Sequence, residues 1–375
     1  MSGSEIAERR ISVATGLNMF VREAGRDDAN PDRPLVLLLH GFPELSYSWR
    51  HILPRLAAAG YWAVAPDQRG YGHTTGATLG YDVDLQEFTL ASVAADAVAL
   101  IAALGRRRVT AVIGHDFGSP VAATCALRRP DVFEALVMMS APSAPASAFP
   151  LGAIERPDAT ALTQRTIHDD LLDLARPRKH YQWYYSERRA APDMDAPPQG
   201  LAAFLRAYYH MKSADWADNA PFALDGWHAS ELEKMPTYYI MDAAHTMPEA
   251  VATHMPSRSE VASNAWLTDD DLAVYVDAFS RTGFQSSLNW YRGRTSGASA
   301  AADALYSGAK FKVPATFIAG KEDWGIEQVP GARAAMEAAS LDWRGTTLID
   351  RAGHWVQQER PRETGDAILK FLADL

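Results

Sequence analysis

One short segment constrains the fold of this chain more than any other. A run of β-formers and small residues at 110–113 meets Gly114-His115-Asp116-Phe117-Gly118, and small residues follow at 121–126. Glycines on both sides of the central residue permit a sharp strand-to-helix turn that bulkier side chains would block, so Asp116 is thrust out at the carboxyl edge of a sheet. The helix start aims unpaired amides at it and favours an anion there. With an ordinary pKa of about 3.9, an aspartate is ionised at neutral pH and needs no base to become a nucleophile. It can displace a leaving group from saturated carbon and remain as an ester. A lone Gly-x-Asp-x-Gly turn is common, so its neighbours decide the reading.

Two downstream segments supply what such an ester needs to turn over. Residues 315–319 read as a buried strand ending in Gly320-Lys321-Glu322-Asp323-Trp324, and residues 346–349 lead into Arg351-Ala352-Gly353-His354-Trp355. An acid after one strand and a histidine after the next give the chain order nucleophile, acid, histidine that α/β-hydrolases show. Here His354, held in one tautomer by Asp323, would take a proton from water attacking the ester carbonyl of Asp116. Glu322 is the adjacent alternative acid and ranks below Asp323. Upstream, the apolar strand at 35–39 runs into His40-Gly41-Phe42-Pro43-Glu44. The loop after such a strand contributes one oxyanion-hole amide and the residue after the nucleophile the other, which assigns Phe42 and Phe117. Backbone donors leave both side chains free to be apolar and to dry the site.

These residues together resemble the epoxide hydrolases of the α/β-hydrolase superfamily, over nearly the whole chain. The motifs that carry the resemblance are His40-Gly41-Phe42-Pro43, Gly114-His115-Asp116-Phe117-Gly118, Asp323 and Gly353-His354-Trp355, with His180-Tyr181-Gln182-Trp183-Tyr184 and Ser287-Leu288-Asn289-Trp290-Tyr291-Arg292 from mid-chain. The resemblance implies that a tyrosine from each of the last two segments hydrogen-bonds the epoxide oxygen, which matches Tyr181 and Tyr291. A phenol with a pKa near 10 stays protonated at neutral pH yet can neutralise an alkoxide as the ring opens. Among 14 tyrosines, only the flanking motifs single these two out; Tyr184, Tyr185, Tyr208, Tyr209, Tyr238 and Tyr239 are expected to pack. Trp183, Trp290 and Trp355 are candidate substrate-binding residues. The implied reaction converts a small apolar epoxide and water to a vicinal diol through an aspartyl ester. Relatives commonly carry tryptophan at the position of Phe117, a departure that bears on substrate shape.

Three other readings share parts of this pattern. Haloalkane dehalogenases also form an aspartyl ester but hold a departing halide with indole or amide donors, a part open to Trp183 or Trp290. Fluoroacetate dehalogenases carry arginines just after the nucleophile to clamp a carboxylate, where this chain has Phe117 and Pro120. A catalytically silent hydrolase-fold binding protein usually lacks a triad member, and here every member is present.

The implied fold is α/β: an α/β-hydrolase fold with a mostly parallel eight-stranded sheet covered by helices and an inserted, mainly helical cap. Core residues are expected at 1–141 and 306–375 and the cap at 142–305. Strands are expected near 11–13, 19–23, 35–39, 62–65 and 135–139, with helices at 49–59 and 88–104. After Ser140 the pattern turns irregular, aromatic and proline-punctuated until about Gly308, and sheet-type segments resume at Val313. Residues 235–263, rich in Met, Pro and His, are expected to form loops at a substrate entrance. A net charge of −10 disfavours nucleic acid and anionic membranes as partners. Residues 1–11 lack an apolar core of signal-peptide length and no apolar run reaches about 18 residues, so the expected location is cytoplasmic. The single cysteine, Cys125, excludes an internal disulfide and reads as a packing residue. The sequence leaves oligomeric state open, a homodimer included.

Several motifs carry no chemistry. The glycines of Gly70-Tyr71-Gly72-His73-Thr74-Thr75-Gly76 miss the dinucleotide fingerprint by one residue. Asp67 reads as a loop anchor and His115 as structural. Eleven histidines show no metal-ligand spacing, His245 and His254 included. No metal and no cofactor is called for.

Overall fold

The computed structural model describes residues 5–30, 32–145 and 165–375. Its strands are β1 (Ala7–Ser12), β2 (Asn18–Ala24), β3 (Leu35–Leu39), β4 (Trp62–Pro66), β5 (Ala111–His115), β6 (Leu136–Met139), β7 (Arg178–His180), β8 (Ile240–Asp242), β9 (Phe311–Gly320) and β10 (Ser340–Ile349). Eight of them form one sheet in the order β1-β2-β4-β3-β5-β6-β9-β10. β2 runs antiparallel to both its neighbours, and every other pair in the sheet is parallel. Every residue of β3, β4, β5 and β6 is buried, which is why these segments read as unbroken apolar runs rather than alternating ones.

The period of two sorts the strand side chains between two layers. Leu37, Leu39, Val112, Leu136 and Met138 face the helices Leu90–Ala103 and Gly118–Arg128. Val36, Leu38, Ile113 and Val137 pack with Trp49, Leu53, Ile368 and Phe371 on the opposite face. The helix expected over 49–59 is shorter: a 3-10 turn spans Ser46–Trp49 and the α-helix Leu53–Ala58 begins beside Pro54. Proline lacks the amide that an earlier start would need, and it suits a first helical turn.

At the turn after β5, Asp116 has a φ of 50° and neither flanking glycine has a positive φ. The glycines are needed for close approach instead. A Cβ on Gly114 would run into the carbonyl of Gly118, and one on Gly118 into the carbonyl of Leu39. The strain of the turn sits on the aspartate itself, in the left-handed region that costs a non-glycine residue of order 1–3 kcal/mol.

Between β6 and β9 the described chain is mainly helical, with Tyr181–Ser186, Leu201–Met211, Asp269–Thr282 and Gln285–Thr295 as the elements nearest the catalytic edge. The irregular stretch expected after Ser140 falls partly on residues 146–164, which lie outside the described residues. The loops expected over 235–263 are not what forms. β8 pairs antiparallel with β7, and Met247–Ala252 and Arg258–Ser263 are helices. Each helix opens on a capping box, Thr246 with Glu249 and Ser257 with Glu260, a spacing present in the sequence that hydrophobic periodicity does not reveal. Met235, Tyr238, Tyr239, Ile240, Met241, Met247 and Val251 are buried, so this stretch is part of the insertion's own core. Among the described residues no helix is long and apolar enough to cross a membrane.

The contacts at the turn generate a test. Gly114→Ala should destabilise the protein by about 2 kcal/mol or more, since the added methyl meets backbone that cannot move aside. An unchanged denaturation midpoint would contradict this account of the turn.

Candidate active site

The strand ends bring together residues that lie more than 200 positions apart. Asp116 projects from the turn after β5, and its two carboxylate oxygens have different partners. Oδ1 accepts the Phe42 amide at 2.8 Å, from the loop after β3. Oδ2 lies 3.1 Å from His354 Nε2, in the loop after β10. Behind it, His354 Nδ1 is 3.0 and 3.2 Å from the oxygens of Asp323, which follows β9. All three side chains are buried. The rival acid, Glu322, accepts the Ala352 amide at 3.1 Å. Asp323 also accepts the Gly325 amide at 2.6 Å, which fixes its carboxylate independently of the histidine.

Burial alone would raise the pKa of Asp116. The hydrogen bond from His354 and the charges of His354, Lys212 and His115 outweigh it and hold the carboxyl well below the usual range. The Phe42 amide is occupied by Oδ1, while the Phe117 amide has no acceptor among the described residues.

Tyr181 and Tyr291 converge from two helices of the insertion, with ring centroids 6.0 Å apart. Tyr291 stands edge-on to Phe42 at 5.6 Å and to Phe117 at 5.1 Å, the two residues whose amides flank the nucleophile. The Tyr181 hydroxyl donates to Gln328 Oε1 at 3.2 Å and accepts from Gln182 Nε2 at 3.0 Å. Burial, reinforced by the negative charge of Asp116, pushes both phenols above their usual pKa. They are therefore firmly protonated at neutral pH.

The three tryptophans separate. Trp183 is half-buried against His168 and His180, with ring centroids 4.2 and 4.9 Å away. The helix Tyr181–Ser186 turns it away from Tyr181, since residues two apart do not share a face. Trp290 packs on Phe117 at 5.3 Å, but its indole N–H donates to the Arg69 carbonyl at 3.0 Å. Trp355 stands beside His354, with its indole N–H on the Tyr209 carbonyl at 2.9 Å. Neither indole hydrogen is free to hold a halide.

Three further buried ionisable residues surround the site, one of them His115, which the sequence reads as structural. Glu44 is fully buried and its Oε2 lies 2.6 Å from His115 Nδ1, while its Oε1 accepts from Gln357 and Gln358, each at 2.9 Å. His115 Nε2 lies 2.6 Å from the His354 carbonyl. Acceptors at both ring nitrogens hold His115 as the imidazolium. Burial opposes that charge, but Glu44 outweighs it and the pKa is raised. Lys212 is buried among the rings of Tyr208, Tyr238, Tyr239 and Trp355, 4.9 to 6.0 Å from their centroids. Burial lowers its pKa against the pull of Asp116, Asp323 and Glu44. Nothing local in the sequence marks Lys212 or the pairing of Glu44 with His115, because those partners come from distant loops. Asp67 is the loop anchor expected, accepting from Ser46 and from the His73 amide. Among the described residues no group of His, Cys, Asp and Glu could hold a metal ion.

The depressed pKa of Asp116 has a kinetic consequence. The carboxylate form persists below the ordinary value, so single-turnover ester formation should stay constant from about pH 7 to about pH 5. A decline centred within that interval would show that the nucleophile is not held ionised as described.

Comparison with known proteins agrees with this geometry. The α/β-hydrolase fold family matches residues 34–189. The chain is 33% identical to epoxide hydrolase B of Mycobacterium tuberculosis over 361 residues, covering 93% of this chain and 94% of that protein. It is 32% identical to epoxide hydrolase A of the same organism, covering 98% and 97%. Among solved structures, an epoxide hydrolase from an endophytic Streptomyces superposes with a TM-score of 0.75 at 29% identity, over 100% of this chain and 96% of that one. Epoxide hydrolase A from Mycobacterium thermoresistibile gives 0.74 at 30% identity, over 98% of each. Similarity of this extent, running through both the sheet and the insertion, makes the chain a member of the epoxide hydrolases of the α/β-hydrolase superfamily.

Proposed function

We propose that this protein hydrolyses an epoxide to a vicinal diol in two steps, with Asp116 as nucleophile, Tyr181 and Tyr291 as proton donors, and His354 with Asp323 as the base. The observation that carries this reading is the division of the Asp116 carboxylate, with Oδ1 on the Phe42 amide and Oδ2 beside His354 Nε2. Oδ2 attacks a ring carbon and the carbon–oxygen bond breaks. The developing alkoxide takes a proton from one phenol while the other orients it. The result is an ester whose carbonyl oxygen, Oδ1, already sits at the oxyanion hole.

In the second step His354 Nε2 removes a proton from water, and the hydroxide adds to the ester carbonyl carbon. The negative charge forms on Oδ1, between the Phe42 and Phe117 amides. Collapse breaks the acyl–oxygen bond, and protonated His354 supplies the leaving diol oxygen with its proton. The carboxyl left on Asp116 returns its proton to the phenolate, so the cycle closes as epoxide plus water giving diol. One oxygen of Asp116 leaves with the diol and is replaced from water. No step calls on a metal or cofactor.

An apolar substrate fits the surroundings, where the rings of Phe42, Phe117 and Tyr291 stand together beside Asp116. In this reading residues 142–305 act as the cap over a core of 1–141 and 306–375, and the enzyme works in the cytoplasm, with a homodimer compatible with the mechanism. Halide release is disfavoured because the indole donors beside the site are already engaged.

Three measurements check the assignment. A single turnover in ¹⁸O-water should place the label in Asp116 and leave the first diol unlabelled; label in the first diol would mean direct attack by water on the epoxide. His354→Asn should stop at the ester, seen as an intact-mass adduct that is absent from Asp116→Ala. Tyr181→Phe or Tyr291→Phe should slow ring opening roughly 10- to 100-fold and the double variant should nearly abolish it. Undiminished ring opening in the double variant would remove both phenols from the mechanism.

A further inference from the structure

The loop that carries His354 is held by a carboxylate that takes no part in the chemistry above. Glu359, five residues on, closes the short helix Val356–Glu359 and is 7% exposed. Its Oε2 accepts the Gly353 amide at 2.9 Å and its Oε1 accepts the Trp355 amide at 2.9 Å. Those are the two amides flanking the histidine. The amide between them, that of His354, donates to the Lys212 carbonyl at 2.7 Å, on the inserted segment. Glu359 Oε2 also reaches that segment, accepting the Ala214 amide at 2.9 Å. Three consecutive amides of the loop are thus tied, the outer two to Glu359 and the middle one to the turn at 212–214, and Glu359 joins loop and turn.

The packing shows how closely that turn is seated. A Cβ on Gly353 would stand 2.5 Å from the Ser213 carbonyl carbon, 2.6 Å from the Lys212 oxygen and 2.7 Å from the Ala214 nitrogen. Only glycine lets the two backbones run this close. Two residues earlier the loop passes through Arg351 at a φ of 56°, and the Arg351 carbonyl is held by Arg360 Nε at 2.7 Å. Among the described residues Glu359 makes no salt bridge and is satisfied by backbone amides, and burial pushes its carboxyl up to about 8 against them.

We infer that Glu359 is a positioning residue for the hydrolytic step, clasping the His354 loop to the 212–214 turn so that the imidazole stays aimed once the ester has formed. The inference rests on the proposed role of His354. Before attack, the imidazole is fixed from both sides, by Asp323 and by Asp116 Oδ2. Esterification converts that oxygen into the ester oxygen and removes its charge. From then on Asp323 and the loop's backbone ties hold Nε2 against the water, and a displacement of about 1 Å costs of order 100-fold in rate. Ester formation does not need His354 as a base, so loosening the clasp should act on the second step alone.

The test is a rapid-quench single turnover that times ester formation and ester decay separately, on an epoxide accepted by the wild type. Glu359→Gln, which replaces one acceptor oxygen by an NH2 facing a backbone N–H, should slow ester decay roughly 10- to 100-fold and leave ester formation within about 3-fold. Glu359→Asp keeps the carboxyl with a shorter reach and should fall between it and the wild type; it carries the test alone if Glu359→Gln does not fold. Thr364→Val removes a neighbouring buried hydrogen bond, from Thr364 Oγ1 to the Val356 carbonyl at 2.9 Å. It should lower Tm without changing the ratio of the two rates. If the Glu359 variants slow both steps equally or neither, or if Thr364→Val shifts the ratio as they do, Glu359 is only a structural residue and the inference fails. His354→Asn separates the two levels: ester accumulation there with normal decay in the Glu359 variants overturns this inference alone, whereas no accumulation there overturns the reading of His354 and this inference with it.

Discussion

A buried carboxylate at a left-handed backbone position, its two oxygens assigned to different partners, is the constraint on which the rest of this structure depends. The turn at Asp116 exists only because Gly114 and Gly118 let backbone meet backbone there, and because β3 and β5 lie side by side with Leu39 opposite Gly114. That register carries the Phe42 amide to Oδ1 and leaves Oδ2 to His354. A one-residue slip would exchange the faces of the strand and take the nucleophile from its edge. The apolar core is the jig that sets a distance of 2.8 Å between residues 74 positions apart.

Keeping several carboxylates inside one apolar edge demands compensation. Asp116 and Asp323 share His354, and Glu44 is matched by His115 and by two glutamines. Lys212 adds a cation enclosed by aromatic faces, an arrangement that favours a desolvated ammonium. Burial disfavours every one of these charges separately. Together they are mutually stabilised, because in a region of low dielectric each interaction is stronger than it would be in water. The net result is an aspartate that is ionised and phenols that are not, the two protonation states that ring opening requires.

The inserted segment is tied to the sheet by polar contacts as well as by aromatic packing. Arg50 joins Asp271 to Gln358, which in turn donates to Glu44. Trp290 reaches the carbonyl of Arg69, whose guanidinium makes a two-pronged pair with Asp96. Tyr209 donates to the Pro43 carbonyl beside the Phe42 amide. The inserted segment is therefore bonded to the loops after β3 and β4 and to the segment that follows His354, and its seating and the alignment of those loops are linked.

The sequence by itself marked the candidate catalytic edge. The elbow, the strand-end acid and histidine, and the loop after β3 are local patterns whose chemistry follows from residue type and spacing, and motif likeness added Tyr181 and Tyr291 to them. The strand positions were legible too, because a buried parallel strand must be apolar throughout. Local patterns failed where the deciding partner lies far away in the chain. That Asp323 rather than Glu322 lies against the histidine, that Trp290 and Trp355 spend their indole hydrogens on backbone carbonyls, and that residues 235–263 contribute a strand paired with β7 as well as two helices were settled only by the tertiary structure. The same holds for Lys212, for Glu359 and for the pairing of Glu44 with His115. A buried ionisable group declares its purpose through the groups that satisfy it, and three-dimensional packing alone decides which groups those are.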